Sequence, residues 1–322
     1  MQIQNKIQEE KSCRKMELVT PEDFDKYAVE KKVVTIENQD VKIGNKWAGS
    51  EFAPPKDYVL ESNTVWSFPN RGNWATHIGN YRGNWSPYIP RNLILKYTKP
   101  NDLVLDQMVG SGTTLVECKL LGRNAIGVDI NKEAIMVALD RLNFFYDSSD
   151  PKYPKNLKLE TYAGDARNLN LIGDNSIDLI ATHPPYAGII NYTNNTVEGD
   201  LSSKQLESYL KEMQIVAEEA FRVLKQDKCC AILIGDTRKH LHYIPISIRV
   251  LEVFLDVGFV LKEDVIKLQW NTKTNREKWR NKEYEFYKIA HEHLYIFRKP
   301  DEGELLMPLK YSKKWHKTPF DK

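Results

Sequence analysis

Long apolar runs are missing from this chain: no stretch approaches the roughly 18 consecutive apolar residues of a membrane-spanning helix. The opening segment MQIQNKIQEEKSCRK also lacks the apolar stretch of a secretory signal, so a cytosolic (cytoplasmic) location is expected. Cysteine is scarce, and Cys13, Cys118, Cys229 and Cys230 show no metal-ligand spacing. They are expected to be thiols in a reducing compartment, with no metal site. Charge of one sign is missing as well. A net charge of +2 over 322 residues neither identifies nor excludes a nucleic-acid partner, since many such binders are basic only locally. Internal repeats and low-complexity segments are absent.

What is present is an ordinary globular composition, 41% hydrophobic and 28% charged, with length enough for a large core. Residues 1–60 are mixed, with a short helix expected near Pro21 to Val33 and a strand over Val33 to Val41. They form an N-terminal extension available for substrate contact. Trp66 to Trp85 is dense in Trp, Asn and Gly, which predicts an ordered, packed loop and not a linker. Pro90 to Tyr97 has the pattern of a short amphipathic helix.

From Asp102 onward, strand and helix patterns alternate, which predicts an α/β fold with a parallel sheet covered by helices. Strands are expected at Leu103–Leu105, Ala125–Val128, Leu157–Tyr162, Ser176–Ala181, Cys229–Ile234 and Val265–Leu268. Leu294–Phe297 is expected to close the sheet, antiparallel, because no crossover helix precedes it. Leu206, Leu210, Met213, Ala217, Ala220 and Leu224 fall on one helical face and belong to the core. The expected domain spans 61–300, with 301–322 as a tail.

Three strand ends carry ligand-binding chemistry. Asp106 closes the first strand, and Gly110-Ser111-Gly112-Thr113-Thr114 open the following helix, whose N-terminal amides are unpaired. Asp129 ends the second strand, ~20 residues after the glycines, where a carboxylate can hold ribose hydroxyls or cap the next helix. Asp165, in Gly164-Asp-Ala-Arg167, is placed to accept from an adenine amine or to cap a loop. The third glycine of a dinucleotide fingerprint and the lysine of a phosphate loop are both missing. Their absence argues against a pyrophosphate-bearing ligand and favours S-adenosylmethionine.

At the fourth strand end stand His183-Pro184-Pro185-Tyr186. An aromatic amine is a poor nucleophile because its lone pair spreads into the ring. Acceptors around its hydrogens favour a pyramidal nitrogen and stabilise the positive charge of the transition state. A neutral His183 offers one such acceptor, the proline carbonyl a second, and Tyr186 a face on which an extruded base stacks.

Together these residues resemble the S-adenosylmethionine-dependent DNA amino-methyltransferases of the cytosine-N4/adenine-N6 class. Asp106 to Thr114 is similar to the family's Asp-Pro-Phe-x-Gly-Ser-Gly-Thr-Thr, with Gln107-Met108 departing from Pro-Phe. His183 to Tyr186 fills the catalytic tetrapeptide, with His in place of Asp, Asn or Ser. The similarity spans about Trp66 to Pro300, and residues 87–105 resemble the segment over the methionine moiety. The resemblance implies a class I, Rossmann-like, seven-stranded, mainly parallel sheet with helices on both faces. It implies that Asp106, Gly110 to Thr114, Asp129 and Asp165 hold the cofactor and that the methyl passes directly to a flipped base.

Ser before Pro-Pro-Tyr accompanies cytosine N4 in this family, and Asp or Asn accompanies adenine N6. His183 supplies no carboxylate and lies nearer the Ser pattern, so cytosine N4 at a specific DNA site is expected. Adenine N6, or an RNA base amine, is the alternative. A restriction-modification role would bring a cognate endonuclease as partner. No insertion of domain size serves target recognition. The basic, aromatic stretch Lys267 to Lys288 is the candidate nucleic-acid surface, through Lys273, Arg276, Lys278, Trp279 and Arg280.

Overall fold

A computed structural model of the protein describes residues 15–36, 39–44, 47, 58–146, 148, 152–186, 199–270 and 286–314. The elements in chain order begin with β1 (Glu17–Val19), α1 (Pro21–Glu30), β2 (Val33–Ile36), β3 (Gln39–Lys42), β4 (Val65–Ser67) and α2 (Tyr88–Tyr97). The central alternation is β5 (Leu103–Asp106), α3 (Thr113–Leu121), β6 (Asn124–Asp129), α4 (Lys132–Leu142), β7 (Leu159–Ala163) and β8 (Ile177–Thr182). It continues through α5 (Leu206–Val223), β9 (Leu224–Ile234), β10 (Thr237–Lys239), β11 (His242–Ile244), α6 (Ile246–Val257), β12 (Val260–Leu268) and β13 (His291–Arg298).

Among the described residues, nine strands form one sheet in the order β1-β7-β6-β5-β8-β9-β13-β12-β4. Its seven inner strands are those the sequence predicts. The five from β7 to β9 are mutually parallel. β13 is antiparallel, as expected, but it does not close the sheet. It lies between β9 and β12 and pairs antiparallel with both. Its Leu294-Tyr295-Ile296-Phe297 run is buried on both faces, because layers cover the sheet on both sides here.

Two edge strands extend the sheet beyond the expected seven: β1 antiparallel on β7, and β4 parallel on β12. The strand expected over Val33 to Val41 folds back instead as the separate hairpin β2–β3. Val34, Ile36 and Val41 bury one face of that hairpin, as period-2 alternation requires.

Period 2 also divides the core. Cys229, Ala231 and Leu233 pack under α2, α3 and α4, whereas Cys230, Ile232 and Ile234 pack under α5 and α6. The adjacent cysteines therefore face opposite layers. Both are free and buried, as is Cys118.

The helix boundaries follow from capping. Thr20 at the N-cap and Asp23 in the first turn form a reciprocal capping box around Pro21, which starts α1. Asn131 caps α4 by accepting from the Glu133 N–H. The chain runs outward through β5, β6 and β7, then returns to lay β8 on the other side of β5. The carboxyl ends of β5 and β8 consequently flank a topological switch point, where open α/β sheets leave a crevice.

Candidate active site

The turn after β5 is shaped by its two glycines. Gly110 has φ +48° and Gly112 has φ +82°, in the left-handed region that side chains disfavour. A Cβ on Gly112 would also stand 3.0 Å from the Ala138 Cβ and 3.1 Å from its Cα, so this glycine lets α3 pack against α4. The Gly110 N–H donates to Asp129 Oδ2 at 2.9 Å, tying the first strand end to the second. Asp129 Oδ1 accepts from the Asn131 N–H, so Asp129 braces both loops while Asn131 caps the helix.

Asp106 is buried, and its carboxylate accepts from the Thr114 hydroxyl and from the Met108 N–H. Thr114 thus acts by holding Asp106. Burial pushes both carboxyls up to about 6, against the hydrogen bonds each receives. Asp165 is bound by its neighbour: Arg167 Nε donates to Oδ1 at 2.8 Å, and its guanidinium also pairs with Oδ2. Arg167 reaches Glu212 and the Gly199 carbonyl as well, so a fully buried cation fixes this strand end.

An open cavity joins these groups. Asp106, Gly110, Ser111, Thr113, Asp129 and Asp165 line it, and so do His183 and Pro185 from the end of β8. Sequence reasoning missed Asp200, a further buried carboxylate of the wall, because no motif marks it. Four acidic residues around one cavity suit a ligand that carries positive charge. Thr113 Oγ1 and both amide atoms of Gln107 are buried on this wall without a partner among the described residues. Orphaned polar atoms of this kind are available to a ligand.

The third wall is the Trp66 to Trp85 loop, which is ordered and packed as expected. Tyr81 to Trp85 line the cavity. The loop is anchored on α3, where Glu117 accepts from Trp74 Nε1 at 2.8 Å and from His77 Nε2 at 2.7 Å. On α4, Thr76 donates to the Arg141 carbonyl, and Asn80 accepts from the Arg141 guanidinium. Trp85 stacks on the His183 imidazole, with centroids 5.9 Å apart and planes at 17°.

His183 and Tyr186 are joined: His183 Nε2 lies 2.8 Å from the Tyr186 hydroxyl. That hydroxyl donates to Glu292 Oε1 at 2.7 Å, and Glu292 Oε2 accepts from Lys267 Nζ at 2.8 Å. Burial holds the His183 imidazole below its ordinary value, so the ring is neutral at pH 7. Burial would raise the Glu292 carboxyl, but the Lys267 charge and the hydrogen bonds outweigh it and hold it at about 2.

Lys267, read from the sequence as the start of a phosphate-facing stretch, is therefore an internal partner of Glu292. Lys273, Arg276, Lys278, Trp279 and Arg280 lie outside the described residues. Among the described flanks, Trp270 is half exposed and Tyr287 is almost fully so.

Comparison with known proteins gives three results. The family model described as DNA methylase (N6/N4 methyltransferase) matches residues 2–140 and 177–322. Among curated proteins, the Type II methyltransferase M2.LlaDCHI of Lactococcus lactis subsp. cremoris is 54% identical over 70 residues, which is 22% of this chain and 25% of that protein. The Type II methyltransferase M.HpaI of Haemophilus parainfluenzae is 35% identical over 104 residues, 30% of this chain and 33% of that one. The tRNA (guanine(10)-N2)-dimethyltransferase of Methanothermobacter thermautotrophicus is 33% identical over 107 residues, 33% of this chain and 29% of its own. These matches span a quarter to a third of the relatives' lengths. Among solved structures, a SAM-dependent methyltransferase of Methanosarcina mazei aligns with a TM-score of 0.44 at 18% identity, over 65% of this chain and 98% of that one.

Proposed function

Since the chain belongs to the DNA methylase family of N6/N4 methyltransferases, we propose that it methylates the exocyclic amine of a DNA base, cytosine N4 within a specific site, with S-adenosylmethionine as donor. The observation that carries the reading is the single cavity whose wall unites Asp106, Gly110 and Asp129 with His183 and Pro185.

The residues present fit the cofactor. Its ammonium and sulfonium are cations, and the wall holds four carboxylates. Asp106 would take the ammonium and Asp129 the ribose hydroxyls, while the α3 N-terminus and the orphaned Thr113 and Gln107 groups supply further polar contacts. Asp165, its carboxylate oriented by Arg167, lines the same cavity and would accept from an adenine amine. When bound, S-adenosylmethionine supplies an electrophilic methyl on sulfur. His183 and the Pro184 carbonyl accept from the target amine and localise its lone pair, with Tyr186 under the flipped base.

Ionised Asp106 and Asp129 are what the cofactor needs, and burial, partly offset by the hydrogen bonds each accepts, sets both near 6. S-adenosylmethionine affinity should therefore fall as pH drops below about 6, by up to about tenfold per unit for each carboxylate that must ionise. Calorimetric titration between pH 5 and 8 measures this, and a flat profile contradicts the assignment.

The neutral His183 favours cytosine N4 over adenine N6, and the Type II relatives make a cognate restriction endonuclease the expected partner. The tRNA-modifying relative supports a second reading, methylation of an RNA base amine. Modified-base mapping of DNA and RNA from cells expressing the wild type or His183→Ala separates them. N4-methylcytosine in one sequence context, lost in the variant, is the expected result. N6-methyladenine moves the reading to the alternative base, and a mark confined to RNA overturns the DNA assignment.

A further inference from the structure

Glu292 and Lys267 lie outside the motif residues, yet they reach the centre of the site. They face each other across the β12–β13 pairing, with side chains only 8% and 17% exposed. The Tyr186 ring crosses above Gly235 to meet Glu292, at a position where a Cβ on Gly235 would come within 2.8 Å of Tyr186 Cε2. The sheet thus leaves a slot through which a residue after β8 touches a carboxylate on β13.

Proton counting along this line has one consistent answer. A buried carboxylate held by an ammonium stays ionised and can only accept. The Tyr186 hydroxyl has one hydrogen and gives it to Glu292. Its oxygen is then left to accept, and the group within reach is His183 Nε2. A neutral imidazole that donates from Nε2 has a bare lone pair on Nδ1. Nδ1 is buried and makes no hydrogen bond among the described residues, although the Gly83 backbone beside it would favour a proton there. The ring therefore has two competing tautomers, and the network selects between them.

We propose that Lys267 and Glu292 are positioning residues that act through the Tyr186 hydroxyl to hold His183 in its Nε2–H form, reserving Nδ1 as the acceptor for the target amine. The proposal rests on the amine-methylation reading and explains how a histidine serves where the family has Asp, Asn or Ser. It also sets a specificity. A base that presents a carbonyl oxygen at this point, as thymine does in place of cytosine, would meet lone pair against lone pair.

The test is two-bond 1H–15N spectroscopy of the full chain labelled with 15N-histidine at pH 7.5, with the His183 signals identified as those absent from His183→Asn. The wild type should show a protonated Nε2 and a bare Nδ1. In Glu292→Gln the side-chain amide can donate as well as accept, so the Tyr186 hydrogen can turn to His183 and the imidazole proton move to Nδ1 beside Gly83. Tyr186→Phe keeps the ring over Gly235 and removes the relay, with the same expected loss of the Nε2–H form. Both variants should lose about tenfold or more in kcat, with S-adenosylmethionine affinity within about twofold of wild type. A wild-type ring protonated on Nδ1 overturns the proposal. So does an unchanged tautomer in a folded variant, and the wild-type spectrum decides even if neither variant folds. The tautomer is read without any methyl transfer, so an Nε2–H ring in an enzyme that marks no base amine sinks the functional reading instead.

Discussion

Glu117→Ala should destabilise the protein by about 3–5 kcal/mol, the range for removing one partner of a buried ionic network. The Glu117 side chain is fully buried and accepts from three donors of distant origin: Trp74 Nε1, His77 Nε2 and, at 2.8 Å, Arg91 Nη1. Burial would raise its carboxyl, but the hydrogen bonds from His77 and Arg91 and the Arg91 charge outweigh this and hold it below the ordinary value. His77 is itself held low by burial and donates as a neutral ring. Without the carboxylate, the Arg91 charge and two N–H groups lose their shared buried acceptor, and each unsatisfied group carries its own desolvation cost. Urea unfolding checks the figure through a lower midpoint at unchanged slope. Because Trp74 and His77 anchor the loop whose residues 81–85 wall the cavity, cofactor affinity should fall with stability. A loss under about 1 kcal/mol would mean that the loop is held by Arg141 and packing instead.

His183→Ala should reduce methyl transfer by about 100- to 1,000-fold, the scale set by removing one preorganised hydrogen-bonding group from a transition state. The loss should fall on kcat, since His183 is the group proposed to face the amine and the proposed cofactor groups sit on other strand ends. Acid should imitate the mutation. Burial holds the imidazole below its ordinary value, so one ring nitrogen is bare at neutral pH and is lost as an acceptor only when pH falls through that lowered value. His183→Ser restores a neutral acceptor and should recover part of the rate. If it recovers all of it with an unchanged pH profile, the imidazole has no part in carrying the surplus proton away.

The residues that could be read from the sequence share a physical property: their chemistry is local. A strand, a tight turn and a helix N-terminus are specified within a dozen residues, so Asp106 with Gly110 to Thr114 was legible, as was Asp129 at the next strand end. Central strands advertise themselves by unbroken burial, as β8 does with six buried residues in succession. The partner of Asp165 was also within sight, two positions away at Arg167, but a salt bridge that locks a loop has the same sequence as a carboxylate awaiting a ligand. The place of β13 was misjudged because strand order is a matter of pairing energy across the sheet, which periodicity does not record.

By itself the sequence determined the α/β alternation, the order of the four chemical strand ends and the character of the tetrapeptide. Those follow from short-range sterics and from the acceptor chemistry of the side chains. Only the tertiary structure decided what the tetrapeptide leans on. Tyr186 and Glu292 stand 106 positions apart and meet because the sheet order sets β9 between β8 and β13, with Gly235 leaving room for the ring. Lys267, a cation in a basic stretch when read along the chain, became the internal counter-charge of Glu292 because the β12–β13 register set them opposite each other. Register and strand order are properties of the assembled sheet, and they chose which of the chain's ordinary charges would address His183.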